Sequence, residues 1–299
     1  MPASLRARLW KTAIRMAFQD KNLSVPDLRA RSERNGRVHP PFPKDTRIEE
    51  ITLNGLRCAS IRPPRERPDR VLLYLHGGGY VTGSAESYLM LCIPLARALG
   101  LRVVVPEYRL APEHPYPAAL QDALKAYRAL LAEGPAGSDI VLAGDSAGGG
   151  LCLAAALSLR DSGDPMPAAV ICLSPWADLT NSGASHTANA KSEALLVTGA
   201  LDRWAALYAA GARLDDPYLS PVRGDFRGLP PLLVQVDRGE ILLDDSRAVA
   251  EKARAAGVDV SLRLWDGLWH VWPALGDLVP ESGAAFAEMR GFLEARSIP

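Results

Sequence analysis

The sequence predicts an α/β architecture, a mostly parallel sheet with helices on both faces and an added helical segment. From residue 71 onward, short apolar runs alternate with longer stretches of helical periodicity, the pattern of parallel strands joined by crossover helices. Ahead of them, 46–53 and 56–61 flank Asn54-Gly55, a pair that suits the positive φ of a tight hairpin turn, so the sheet starts antiparallel. Between 176 and 228 the alternation breaks off, which marks an insertion.

Length and composition set the bounds. With 299 residues, 48% of them hydrophobic, the chain is long enough for one large domain with a sizeable core. Basic and acidic residues number 34 each, so no global charge recruits nucleic acid, an acidic polymer or an anionic bilayer, and a small uncharged substrate fits better. Cys58, Cys92, Cys152 and Cys172 lack zinc-site or redox spacing and read as buried free thiols in a reducing cytoplasm. Basic residues interrupt the N-terminal apolar stretch, and no run reaches about 18 apolar residues, so neither a signal peptide nor a membrane span is expected.

The elements follow in order. Leu5, Leu9, Ala13 and Met16 form one helical stripe with Trp10, Ile14 and Phe18 beside it. Packing against the body is the expected use of this wide apolar face, with a membrane surface as the rival. Residues 21–44, rich in Pro, Arg and Ser and including His39-Pro40-Pro41-Phe42-Pro43, read as extended surface chain. Strands are then expected at 71–75, 101–106, 139–144, 168–173, 231–236 and 258–264, with helices near 86–98, 117–132, 147–160, 243–256 and 281–295. Within the insertion, Leu201, Trp204, Ala205 and Tyr208 have helical spacing, preceded by Thr198-Gly199 and closed by Gly211.

Two segments carry chemistry. Gly144-Asp145-Ser146-Ala147-Gly148 sits between a strand-like apolar run and a helical one, the context in which Gly-x-Ser-x-Gly exposes a nucleophilic serine on a sharp turn. The helix that follows starts with unpaired amides and a positive dipole end, suited to negative charge forming beside the serine. A plain small-residue strand-to-helix turn is the rival reading. Upstream, another strand-like run ends in His76-Gly77-Gly78-Gly79-Tyr80, a glycine loop whose backbone N–H groups can face inward at close range. A phosphate cradle fits it poorly, because no Gly-Lys-Ser/Thr follows and the glycine spacing is wrong for a dinucleotide.

HGGGY at 76–80, GDSAGG at 144–149 and YRLAPEHPYPAAL at 108–120 resemble the bacterial hormone-sensitive-lipase-like esterases of the α/β-hydrolase superfamily, from about Asp45 to the C-terminus. The resemblance implies the α/β-hydrolase fold with an eight-stranded, mostly parallel sheet, ester substrates, and no metal or organic cofactor. It implies a cap, here segments 1–45 and 176–228 over a catalytic domain of 46–175 and 229–299. Tyr80, Trp204 and Tyr208 are then candidates for the substrate pocket, with simple packing of the cap helix as the competing use.

A serine hydroxyl needs a base, and the base needs an acid to orient it. Of five histidines, His76 belongs to the glycine loop, His114 to a proline-rich stretch, and His39 and His186 to the cap segments. His270 follows the strand 258–264 in the loop Trp265-Asp266-Gly267-Leu268-Trp269-His270, where the resembled family places its base. The acid departs from the commoner family pattern of Asp-Pro-Leu. Alignment on Leu242 and Asp244 puts Glu240 at the acid position, with Asp237 as the alternative, while Asp244 and Asp245 read as helix-start residues. The resemblance assigns the oxyanion donors to Gly77, Gly78 and Ala147.

The expectation is a cytoplasmic serine carboxylesterase acting on short- to medium-chain acyl esters through an acyl-enzyme. Amide, carbamate or lactone hydrolysis on the same triad, and a non-catalytic small-molecule binder on the same scaffold, are the alternatives. A small-molecule ester is the expected partner, without nucleic acid or membrane span, and a homodimer could form through the edge strand 258–264.

Overall fold

The computed structural model of the chain describes residues 3–18, 23–39, 41–67, 70–197 and 199–298. Pro40 of the proline-rich segment and Thr198 ahead of the cap helix lie outside the described residues.

Strands β1 (Arg47–Leu53) and β2 (Leu56–Arg62) form the hairpin, turned at Asn54 and Gly55 with φ of 47° and 81°. Six further strands follow: β3 (Val71–Leu75), β4 (Arg102–Pro106), β5 (Ile140–Asp145), β6 (Ala169–Leu173), β7 (Leu232–Asp237) and β8 (Val260–Trp265). Together the described residues make one eight-stranded sheet in the order β1-β2-β4-β3-β5-β6-β7-β8. The first two pairings are antiparallel and the other five parallel.

The near-continuous apolar strands have a simple cause: alternate residues face opposite layers, and both layers are covered. Leu73, Leu75, Leu142 and Val170 pack under helices α4 (Ala118–Ala132), α5 (Ala147–Ser162) and α8 (Leu243–Ala255). Leu72, Tyr74, Val141 and Ile171 pack under α3 (Leu89–Leu99) and α9 (Pro280–Glu294). This is the α/β-hydrolase arrangement, and β8, half-buried except at the exposed Arg263, closes one edge.

The N-terminal segment differs from the sequence expectation in two respects. Instead of extended chain, residues 25–36 form helix α2 (Val25–Gly36). Ser24 Oγ accepts the Asp27 N–H at 3.3 Å and a proline occupies the first turn, so a cap and a preset φ start a helix in a segment otherwise rich in surface composition. Arg29 then fastens it to the body, donating to the Val81 and Ala111 carbonyls and pairing with Glu113. Helix α1 (Leu5–Ala17) does pack on the body, but through Ala7, Trp10 and Ile14, against Leu268, Trp269 and Trp272. The expected stripe of Leu5, Leu9 and Met16 points into solvent.

The insertion contains a short helix α6 (Ser185–Ala188) and the helix α7 (Ala200–Ala209). Tyr208 of α7 stacks face to face on Tyr80, with ring centroids 3.7 Å apart, and its carbonyl accepts the Tyr116 N–H. Among the described residues, no helix is long and apolar enough to cross a membrane.

Candidate active site

The loops after β3, β5, β6, β7 and β8 all lie at the carboxyl ends of parallel strands, the end of an open α/β sheet where ligands bind. They carry, in turn, the glycine loop, Ser146, Ser174, Glu240 and His270.

Ser146 is the single residue between β5 and α5, and it is held at φ 51°, ψ −124°. A non-glycine residue adopts that conformation only where its surroundings enforce it. Here Ser146 donates its N–H to the Leu173 carbonyl at 2.8 Å and accepts the Trp176 N–H at 2.9 Å. The flanking glycines make the turn possible: a Cβ on Gly144 would meet the Leu75 and Gly148 carbonyl oxygens at 2.5 Å, and one on Gly148 would meet the Leu75 oxygen at 2.0 Å. Sequence therefore dictates a helix jammed against β3 with the serine at its tip.

His270 Nδ1 lies 2.8 Å from Glu240 Oε2, both side chains buried. Glu240 Oε1 accepts the Ser174 hydroxyl and the Asp237 N–H, each at 2.8 Å. Three donors thus compensate the desolvated carboxylate, as a buried charge requires. Burial alone would lower the His270 pKa, but the hydrogen bond and charge of Glu240 outweigh it and hold the imidazole above its ordinary 6.5. Because Nδ1 carries the proton shared with Glu240, Nε2 of the neutral ring is the free base.

Asp237 does other work. Its carboxylate accepts the Gly239 and Leu268 N–H groups, each at 2.9 Å, and so ties the acid turn to the loop that presents His270. Burial raises its pKa. Asp244 and Asp245, expected as helix-start residues, do begin α8, and they also hold the insertion. Asp245 Oδ2 accepts the Ala177 and Asp178 N–H groups, and Asp244 Oδ2 accepts that of Ser185.

The glycine loop requires a correction. Gly77, expected among the oxyanion donors, gives its N–H to Asp145 Oδ1 at 3.0 Å and is committed. Among the described residues, the Gly78, Gly79 and Ala147 N–H groups have no acceptor and are free to donate to a bound oxygen. Gly78 and Gly79 have φ of 112° and 64°, which only glycine adopts at low cost. Asp145 also accepts from Tyr74 and Tyr88, both at 2.9 Å; burial pushes its pKa up to about 6 against these donors. His76 stacks on Tyr108, shares its Nδ1–H with the Gly77 carbonyl at 2.8 Å, and is driven down to about 4 by burial.

Of the pocket candidates, Trp204 lies over the glycine loop: a Cβ on Gly79 would sit 2.4 Å from its Cε3. Tyr80 and Tyr208 are 2% and 1% exposed and stack on each other, which packs α7 against the glycine loop. Reasoning on sequence does not find Ser174, Asn189 or Glu193. Asn189 donates to the Glu240 carbonyl, and Glu193 accepts the N–H groups of Ala194, Leu195, Leu196 and Ile241, so the insertion braces the turn that holds Glu240. No local motif marks them; their partners at the Glu240 turn lie 48 to 66 residues away in the chain. Among the described residues, no cluster of His, Cys, Asp or Glu has a metal-holding geometry.

A profile described as alpha/beta hydrolase fold matches residues 72–274. An acetyl-hydrolase of Streptomyces hygroscopicus is 43% identical over 272 residues, covering 87% of this chain and 91% of that protein. An esterase of Acinetobacter venetianus is 36% identical over 285 residues, 95% of this chain and 93% of its own. The crystal structure of an esterase from the bacterial hormone-sensitive lipase family superposes with a TM-score of 0.95 at 42% identity, covering 100% of both chains.

Proposed function

We propose, from the premise that this chain belongs to the hormone-sensitive-lipase-like esterases of the alpha/beta hydrolase family and is a carboxylic ester hydrolase, that it cleaves short- to medium-chain acyl esters through a Ser146-His270-Glu240 triad and an acyl-enzyme. The buried His270–Glu240 hydrogen bond of 2.8 Å, at the same sheet end as the strained Ser146, is the observation that carries this reading.

In the first step Ser146 Oγ attacks the ester carbonyl carbon while His270 Nε2 takes its proton, and the imidazolium is stabilised by Glu240. The carbonyl oxygen gains the electron pair of the broken π bond and is held by the N–H groups of Gly78, Gly79 and Ala147. One such donor is typically worth about 10² to 10³ in rate. Collapse breaks the bond to the alkoxy oxygen, which leaves as alcohol with the proton from His270. Water then repeats the sequence on the acyl-serine, with His270 as base and then acid, and releases the carboxylic acid.

Trp204 over Gly79 supports a pocket wall close to the reacting carbonyl and hence a limit on acyl length. The name of the Streptomyces relative, an acetyl-hydrolase, points the same way. The test is hydrolysis of 4-nitrophenyl esters of increasing acyl length by the wild type and Ser146→Ala. Turnover that peaks at short to medium chains and disappears in the variant is expected. Equal turnover by both proteins would remove Ser146 as nucleophile.

A further inference from the structure

Helix α1 presents an apolar ridge to solvent. Leu5, Leu9 and Met16 are 75%, 65% and 74% exposed, although Ala7, Trp10 and Ile14 of the same helix pack into the body. At 3.6 residues per turn, Leu5, Leu9, Ala13 and Met16 fall within a sector of about 80° that points away from the packed face. Arg8 and Arg15 border that sector on one side and Arg6 on the other. An ordinary surface helix turns its charged face outward; this one turns apolar side chains outward between basic rims.

The charge is local. Residues 3–18 contain Arg6, Arg8, Lys11 and Arg15 and no acidic residue, an excess that the balanced total of 34 and 34 conceals. Arg15 donates to the Ser192 carbonyl and Arg8 to that of Ala3, contacts that neutralise neither guanidinium.

We propose that α1 docks the protein in the plane of an anionic lipid surface, with the ridge in the acyl boundary and the arginines on headgroup phosphates. The chemistry is complementary on both counts, apolar at the ridge and anionic at its borders. A second copy fits less well. The ridge offers roughly a few hundred Å², against about 800 Å² per partner in a standard interface, and two-fold apposition would bring the basic rims together. The other side of α1 rests on the loop that carries His270, through Ala7 and Trp10 against Leu268 and Trp269, and Arg15 reaches the segment that braces Glu240. A docked helix therefore sets the triad loops about one helix diameter, ~10 Å, from the lipid.

Co-sedimentation of the full chain with phosphatidylcholine vesicles, with and without phosphatidylglycerol, tests this without any turnover. Binding to the anionic vesicles is expected, weakened by high salt, and Ser146→Ala binds like the wild type. Arg6→Gln lowers the partition coefficient about fivefold. Leu5→Ser/Leu9→Ser/Met16→Ser lowers it at least about tenfold at unchanged melting temperature, because all three positions are exposed. Wild-type protein that stays in the supernatant with anionic vesicles overturns the proposal, as does a triple variant that binds equally well. A concentration-dependent dimer that the triple variant abolishes, without vesicle binding, overturns it in favour of a second copy.

Discussion

Asp145 Oδ1 accepts the Gly77 N–H at 3.0 Å, so the residue before the proposed nucleophile holds the first residue of the glycine loop. That one bond occupies the Gly77 N–H and leaves those of Gly78 and Gly79 for the proposed oxyanion site. The carboxylate takes three donors in all, the other two being the Tyr74 and Tyr88 hydroxyls. An amide at this position offers one acceptor oxygen and turns an NH2 group toward another donor. Asp145→Asn is therefore expected to lower kcat by about ten- to a hundredfold, less than outright loss of an oxyanion donor, with KM changed little. Steady-state kinetics on a short-chain 4-nitrophenyl ester decide it, and an unchanged kcat would mean that the loop holds itself.

Glu240 is more sensitive still to losing its charge, because it bonds His270 directly. In Glu240→Gln the amide can hold His270 in the wrong tautomer, and kcat is expected to fall by about 10³ to 10⁴. The acid limb of kcat/KM should also move to lower pH, because Glu240 is what holds His270 above 6.5 against burial. A variant with near wild-type kcat, or one whose acid limb stays in place, takes Glu240 out of the triad.

How far this site is legible from sequence depends on the reach of each contact. Strands buried on both faces appear as apolar runs, so β3 to β7 emerge within a residue or two of their ends, and the Gly-x-Ser-x-Gly turn announces itself because a Cβ on either of its glycines would meet carbonyl oxygens at 2.0 to 2.5 Å. Helix α2 is hidden by a Pro- and Arg-rich composition, although the Ser24–Asp27 cap was there to be read. Three consecutive glycines look alike in sequence; only the position of the Asp145 carboxylate separates Gly77 from its neighbours. Ser174 and Glu193 meet the acid turn from 66 and 48 residues away, and no local pattern encodes such a meeting.

Ser174 makes that last point testable. Its hydroxyl donates to Glu240 Oε1 at 2.8 Å and accepts the Val271 N–H at 3.4 Å, bridging the acid to the residue after the base. Ser174→Ala leaves a buried carboxylate one donor short, a loss of about 1.5 to 3 kcal/mol for a hydrogen bond to a charged group. A roughly tenfold drop in kcat and a lower melting temperature are expected. Identical kinetics in the alanine variant would show that Asp237 N–H and His270 suffice.

The ion pair also predicts a pH dependence of stability. His270 has a folded pKa above 6.5, so folding favours its protonated form. The stabilisation is fully present below the unfolded value of about 6.5 and fades as pH rises through the higher folded value. The difference in melting temperature between wild type and Glu240→Gln should therefore be largest in mildly acidic buffer and shrink toward alkaline pH. A difference that grows with pH would contradict the assignment of the raised pKa to Glu240.

Trp204 and Tyr208 share helix α7 but predict opposite outcomes. Trp204 is half-buried over Gly79, whose N–H is one of the proposed oxyanion donors, so its ring stands beside the reacting carbonyl. Trp204→Ala opens space there, and the ratio of kcat/KM for long over short acyl chains should rise at least about fivefold, mainly through KM, since an added methylene in an apolar pocket is worth about 1 kcal/mol or more. Tyr208 is buried behind Tyr80, and its hydroxyl has no hydrogen-bond partner. Removing that hydroxyl relieves a desolvated polar group and leaves the stacked ring, so Tyr208→Phe should keep the acyl preference and melt no lower than the wild type. If Tyr208→Phe shifts the chain-length profile while Trp204→Ala leaves it alone, the pocket wall lies one turn further along α7, at the stacked Tyr80–Tyr208 pair.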